Sequence, residues 1–232
     1  DMYAKCGELL KAQQLLGELP NRDIVSWNTL ITAYAECGQG HEALECFERM
    51  QSEGLSPNEV TLICILKACS SAGDIDVGKR IHDEIARRGL LEKDVVLGTA
   101  LVDMYAEFGM LAKARQVHDE LYEHSVISWN ALISGYAHHN FTDKSYGMLQ
   151  SDEKARLVPD TATLVSILKC GIHIEHLKIG EAIHTEVMKL RLLDKDVMLG
   201  TTLLDMYGKC SLMEKTQKVF DESPLQNVAS WN

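Results

Sequence analysis

Apolar residues recur along the chain with the spacing of amphipathic helices that come in pairs. Trp27, Leu30, Ile31 and Tyr34 fall at i, i+3, i+4 and i+7, so they share one helical face. After a glycine-containing break at 37–40, a second stripe of the same kind follows at Ala43, Leu44, Phe47 and Met50. A helical pair this short cannot bury its apolar faces alone, so the pairs have to stack on one another.

The whole pattern repeats after 102 residues without a gap. Ser-Trp-Asn occurs at 26–28, 128–130 and 230–232, and Asp-Met-Tyr at 1–3, 103–105 and 205–207. Such a period predicts an all-α fold, a right-handed α-solenoid of about seven stacked helix-turn-helix units. The predicted units are 1–23, 24–58, 59–94, 95–125, 126–160, 161–196, 197–227 and 228–232. Because the first and last are incomplete, we expect a fragment of a longer array.

Composition narrows the class of protein further. The chain is 46% hydrophobic and 25% charged, which is typical of a globular protein. Its apolar runs are shorter than the roughly 20 residues of a membrane span, so we expect no membrane association. A net charge of −11 argues against bulk electrostatic attraction to nucleic acid.

Motifs for catalysis or metal binding are weak. His-x-Glu, half of a zinc-deaminase signature, occurs at His82, His118 and His184, but no Cys-x-x-Cys accompanies it. Two of these histidines stand 102 residues apart, which marks them as repeat positions. His173 and His176 have the spacing of a metal pair but no evident third ligand. We therefore predict no enzyme activity, catalytic residue, metal, cofactor or small-molecule substrate.

Three phrases with this cycle of unit lengths resemble one known family. Ser-Trp-Asn-x-Leu-Ile, Ile-Leu-Lys-Ala-Cys and Leu-Val-Asp-Met-Tyr-Ala, in units of 35, 36 and 31 residues, resemble plant pentatricopeptide-repeat proteins of the PLS class. The resemblance covers the whole chain and makes 24–58 and 126–160 P units, 59–94 and 161–196 L units, and 95–125 and 197–227 S units. It places 1–23 in a partial S unit and 228–232 at the start of a P unit. Tetratricopeptide repeats, which bind protein, are the alternative, but they require glycine where Ile31 and Ile133 stand.

The resemblance implies recognition of single-stranded RNA, about one base per unit, mostly to direct C-to-U editing or other RNA processing in mitochondria or chloroplasts. Base identity would be read by the fifth and last residues of the units: Asn28, Asn58, Thr99, Ser125, Asn130, Asp160, Thr201, Asn227 and, in the incomplete last unit, Asn232. Apolar second residues would sandwich the bases: Val25, Val96, Ile127 and Met198.

The family's code then suggests a target. Asn28 with Asn58 suggests C, and Asn130 with Asp160 suggests U. Thr99 with Ser125 hints at a purine, and Thr201 with Asn227 suggests A. The L units carry aliphatic fifth residues, Ile63 and Val165, and should read little. The hypothesis is 5′-C-n-purine-U-n-A-3′.

Other readings of the same residues stay open. Asn and Thr early in a helix also serve as caps or backbone partners. The chain could instead be a protein-binding scaffold without RNA recognition.

The resemblance also implies accessory proteins, the multiple organellar RNA-editing factors, as partners through the L units. Leu66, Ile81, Leu168 and Ile183 lie in those units, although most are expected in the core. The second P unit replaces Phe47 and Met50 by Leu149 and Asp152, so residues 140–156 are predicted to be the softest stretch.

Overall fold

The structure is a computed structural model, and it describes residues 8–122, 125–151, 159–170, 177–193 and 196–222. These residues form helices joined by short turns. In chain order the helices are α1 Leu9–Glu18, α2 Ile24–Glu36, α3 Gly40–Ser52, α4 Glu59–Ala72, α5 Ile75–Arg87, α6 Val95–Glu107, α7 Leu111–Glu120, α8 Val126–His138, α9 Thr142–Ser151, α10 Thr161–Cys170, α11 Leu177–Lys189, α12 Val197–Lys209 and α13 Met213–Glu222. The all-α class is confirmed.

A short polar residue precedes the first helix of each predicted unit from 24–58 to 197–227 and fixes where that helix begins. The side chain of each accepts a hydrogen bond from a backbone N–H two or three residues later, which satisfies a donor that the helix itself leaves unpaired. These capping residues are Asp23, Asn58, Asp94, Ser125, Asp160 and Asp196. The same six residues are the last residues of predicted units, so the last residue of each of these units also caps the helix that follows it.

The chain divides into two compact units, residues 1–128 and 129–232. In the first, α2 packs against α4 and α4 against α6, so the first helices of successive pairs lie side by side. The second helix α3 packs between α2 and α4. Gly40 makes the approach of α3 to α4 possible, because a Cβ there would lie 2.4 Å from the carbonyl oxygen of Ala68.

The core of the first pair is built around a buried tryptophan. Trp27 and Ile31 are fully buried. The Nε1 of Trp27 donates to the Glu53 carboxylate at 3.1 Å, and Arg22 pairs with the same carboxylate at 2.8 Å. Ile31 occupies the position where a tetratricopeptide repeat requires glycine. Ile133, at the matching position in the second P unit, is also fully buried.

In the second compact unit, residues 129–232, α10 packs against α12, as α4 does against α6 in the first. Ser145 replaces Ala43 in the core, and its hydroxyl is satisfied by donating to the carbonyl of Ile133 at 2.9 Å. Asp152 lies outside the described residues, and the softness of 140–156 remains a prediction.

Two matching histidine–tyrosine contacts join a second helix to the first helix that follows it. His82 Nδ1 lies 2.9 Å from the Tyr105 hydroxyl, and His184 Nδ1 lies 2.9 Å from that of Tyr207. Burial lowers the pKa of both imidazoles.

Over the part of the chain that the structure describes, no helix is long and apolar enough to cross a membrane.

Candidate nucleic-acid interface

Large aliphatic side chains lie exposed on one face of the first helices, where the core does not use them. They are the second residues of five of the six units that begin within the described residues, and they are 52–70% exposed: Val25, Val60, Val96, Ile127 and Met198. Four of the five are the predicted base-sandwiching residues, and Val60 is an addition. Burial would stabilise side chains of this kind, so their exposure at the same repeat position makes each of them a candidate for contact with a ligand.

Next to Val25, the fifth and last residues of the first P unit meet. Asn28 Nδ2 donates to Asn58 Oδ1 at 3.0 Å, although the two residues stand 30 apart in the chain. Asn58 Oδ1 also accepts the backbone N–H of Thr61 at 3.0 Å. The Thr61 hydroxyl donates to Asn28 Oδ1 at 2.6 Å. Both amide oxygens are thereby occupied, and the Asn58 Nδ2 group is left as a donor.

The S unit brings its fifth and last residues together in the same way, through hydroxyl groups. Thr99 Oγ1 lies 3.4 Å from Ser125 Oγ. The Thr99 hydroxyl also donates to the carbonyl of Val95 at 2.8 Å. Thr99 therefore has the backbone hydrogen bond that was considered as an alternative to base reading. Because its hydrogen is used in that bond, the hydroxyl oxygen can act only as an acceptor towards a ligand.

In the compact unit 129–232, the fifth and last residues of the P and S units have fewer hydrogen bonds to each other. Asn130 is buried, and its Oδ1 has no hydrogen-bond partner among the described residues. Asp160 caps α10 through Oδ1, at 2.8 Å from the N–H of Thr163. The Thr201 hydroxyl donates to the carbonyl of Val197 at 2.9 Å. Asn227 and Asn232 lie outside the described residues.

The L units lack polar groups at the fifth position. Val165 is buried, and Ile63 is half-buried. Their last residues, Asp94 and Asp196, cap the helices that follow.

The L-unit residues considered for partner binding are also inaccessible. Leu66, Ile81, Leu168 and Ile183 are all buried. They belong to the core, and a partner of the L units would have to contact other side chains.

In the compact unit 1–128, the charged side chains near the C-terminal ends of the first helices are mostly acidic. Glu36, Asp103 and Glu107 are exposed near the ends of α2 and α6. Desolvation raises the pKa of Asp103, Glu107 raises it further, and Lys67 opposes both. In the second unit the residue matching Glu107 is Lys209, which pairs with Asp205 at 2.7 Å.

The His-x-Glu motifs are not arranged as a metal site. His82 and His184 are engaged with tyrosines, as described above, and His118 is buried in α7. No group of three potential ligands comes together within the described residues, and His173 and His176 lie outside them.

Comparison with known families and proteins gives a consistent result. The "PPR repeat family" matches residues 22–71, and the "PPR repeat" matches residues 127–151 and 201–225. A mitochondrial pentatricopeptide repeat-containing protein of Arabidopsis thaliana is 32% identical over all of this chain and 38% of its own length. A chloroplastic one is 33% identical over 96% of this chain and 27% of its own length. The chain thus spans less than two fifths of these relatives.

Solved structures show the same fold. The pentatricopeptide repeat protein PPR10 from maize superposes with a TM-score of 0.75 at 20% identity, over 99% of this chain and 34% of its own. PPR10 in complex with an 18-nt psaJ RNA element gives 0.74 at 21% identity, over 97% and 34%. The nuclear proteinaceous RNase P 2 from A. thaliana gives 0.56 at 17% identity, over 74% and 40%. At these identities the likeness establishes an α-solenoid fold and assigns no activity.

Proposed function

Because the chain belongs to the pentatricopeptide-repeat family, we propose that it binds single-stranded RNA sequence-specifically, about one base per P or S unit. It would serve as the recognition array of an organellar RNA-editing or RNA-processing factor, and it would bind rather than catalyse. Relatives named as mitochondrial and as chloroplastic support an organellar location. The division into P, L and S units belongs to the same proposal.

The observation that carries the proposal is the contact between fifth and last residues beside an exposed aliphatic side chain. Asn28 reaches Asn58 at 3.0 Å while Val25 next to it is 67% exposed. A base stacked on the aliphatic side chain would present its Watson–Crick edge to the polar pair.

Donor and acceptor geometry supports the predicted choice between C and U. Both oxygens of the Asn28–Asn58 pair are occupied, so the pair offers N–H donors. Cytosine has acceptors at N3 and O2 and satisfies such a pair. Asp160 has one oxygen committed to the α10 cap, and the other can only accept. Uracil carries a hydrogen on N3, which that oxygen would accept.

The threonine units suit a purine for a related reason. The hydroxyl hydrogens of Thr99 and Thr201 are committed to backbone carbonyls. Their oxygens therefore act as acceptors, which matches the exocyclic amino group of adenine. These assignments give the target 5′-C-n-purine-U-n-A-3′.

The test is fluorescence anisotropy with this chain and a six-nucleotide core in poly-U flanks, at low and physiological salt. The matched RNA has the U and A of the core exchanged. We expect preference for the unexchanged RNA, and loss of that preference in Asn130→Thr. Equal affinity for the two RNAs would contradict sequence-specific reading.

A protein-binding scaffold is the second candidate, and the acidic side chains favour it. Glu36 and Glu107 lie exposed on helices whose other end carries the polar pairs, where they would repel phosphates. Absence of RNA binding even at low salt would leave two readings: either the array binds protein, or RNA binding requires an accessory protein such as the multiple organellar RNA-editing factors at the L units.

A further inference from the structure

A side chain outside the fifth-and-last pair holds the amide of Asn28 in place. Thr61, the third residue of the following unit, donates its hydroxyl to Asn28 Oδ1 at 2.6 Å. The same hydroxyl lies 2.9 Å from Asn58 Oδ1, and the Thr61 N–H donates to that oxygen at 3.0 Å. Thr61 is fully buried, so it contacts both members of the pair without being able to touch a base.

In the S unit the third residue of the next unit contacts the last residue of the pair, and through it the fifth. Ser128, the third residue of the next unit, accepts a hydrogen bond from Ser125 Oγ at 3.1 Å. Its own hydroxyl donates to the Ser125 carbonyl at 3.0 Å. Ser125 in turn lies 3.4 Å from Thr99. The third residue of the following unit thus contacts a last residue again, whereas Thr61 also bonds directly to the fifth residue.

The sequence pairs these two positions by polarity along its length. A polar fifth residue is followed by a polar third residue in the next unit: Asn28 with Thr61, Thr99 with Ser128, Asn130 with Thr163, and Thr201 with Ser230. An aliphatic fifth residue is followed by leucine: Ile63 with Leu97, and Val165 with Leu199. The two leucines are fully buried. The two positions therefore change together, as residues in contact would.

We infer that Thr61 is a positioning residue for base recognition, which fixes the orientation of the Asn28 amide and makes the Asn28–Asn58 pair a donor face. This inference rests on the proposed function and adds a third determinant to it. An Asn amide can rotate by 180° and exchange its donor and acceptor. Such a rotation of the Asn28 amide would break the hydrogen bond that its oxygen accepts from the Thr61 hydroxyl, and it would turn that oxygen towards Asn58 Oδ1, which is also an acceptor.

Replacing Thr61 by valine keeps the shape and removes the hydroxyl. The Asn28 amide then loses one of the two hydrogen bonds that fix its orientation, so its oxygen turns towards the base more readily and uracil binds closer in affinity to cytosine. We expect Thr61→Val to lower the preference for C over U at this position by about three- to tenfold, the worth of one neutral hydrogen bond. Thr61→Ser retains the hydroxyl and should retain the preference.

The experiment measures the affinity of the 232-residue chain for the core RNA with C or U at the first position. Thr163→Val is the matched control. Thr163 is the third residue of the unit that follows the second P unit, but Asn130 Oδ1 receives no hydrogen bond from it or from any other residue that the structure describes. We expect the control to leave the choice of base opposite Asn130 unchanged. A thermal unfolding curve for each variant separates a loss of fold from a loss of discrimination, because a merely structural role would lower affinity for both RNAs equally.

Two failures can be told apart. If the parent chain prefers C and Thr61→Val prefers it to the same extent, the positioning role is wrong and the proposed function stands. If the parent chain does not distinguish C from U, the proposed reading by Asn28 and Asn58 falls, and the role of Thr61 falls with it.

Discussion

Gly40→Ala tests the close stacking of one helical pair on the next. A Cβ at Gly40 would lie 2.4 Å from the Ala68 oxygen, 2.5 Å from Ser71 Oγ and 2.6 Å from the Ala72 nitrogen. These distances are about 1 Å shorter than van der Waals contact. Two of the three atoms belong to the backbone of α4, so a side-chain rotation cannot relieve the clash, and α3 has to move away from α4.

Overpacking of this kind costs about 1–3 kcal/mol. For a chain of this size the midpoint of thermal unfolding should fall by roughly 2–12 °C. The gain in helix propensity from Gly to Ala is small here, because Gly40 is the first residue of α3. The assay is thermal and urea unfolding followed by circular dichroism.

Gly147→Ala is the matched control. Gly147 lies inside α9, and a Cβ there would meet no atom within 4 Å. It should therefore stabilise the chain by up to about 1 kcal/mol. The reasoning is refuted if Gly40→Ala is neutral or stabilising, or if both substitutions destabilise alike.

Three further predictions follow from charge and burial. Glu107→Lys should raise RNA affinity at low salt and steepen the dependence of log K on log salt by about 0.7, as one added phosphate contact does; an unchanged slope would place residue 107 away from the RNA. Burial lowers the pKa of His82, so the unfolded chain binds protons more readily, and unfolding free energy should fall as pH drops through about 6.5. His82→Asn should weaken that pH dependence, and an identical dependence would contradict it. Burial raises the pKa of Cys46 to about 11, so a thiol reagent at pH 8 should modify exposed Cys37 well before Cys46 in the native chain; equal rates would contradict the burial.

Much of the fold could be predicted from the sequence because its determinants are local. The 102-residue period and the apolar stripes predict where each helical pair lies in the chain. Short polar residues such as Asn58 and Asp94 end one predicted unit and cap the helix of the next, so α4 and α6 begin at the first residues of predicted units.

The details of the site depend on contacts between distant residues, which the pattern does not specify. Nothing in the spacing indicates that Thr61 donates to Asn28, because that contact arises only when α2 and α4 pack side by side. Asn130 and Thr163 repeat the same residue types, yet Asn130 Oδ1 has no hydrogen-bond partner among the described residues. Val60 could have been found, since it occupies the second position already singled out in the other units.

The reciprocal exchange of last residues tests the central claim, that the fifth and last residues of a unit read one base. Asp160→Asn should change the preference at its position from U to C, and Asn58→Asp should change the other from C to U. Asn and Asp cap helices equally well, so stability should stay the same. We predict a change of about fivefold or more in each C-to-U affinity ratio, in opposite directions, as expected when a donor and an acceptor are exchanged. Ratios that remain at the parent values in both variants, with RNA binding retained, would contradict the account.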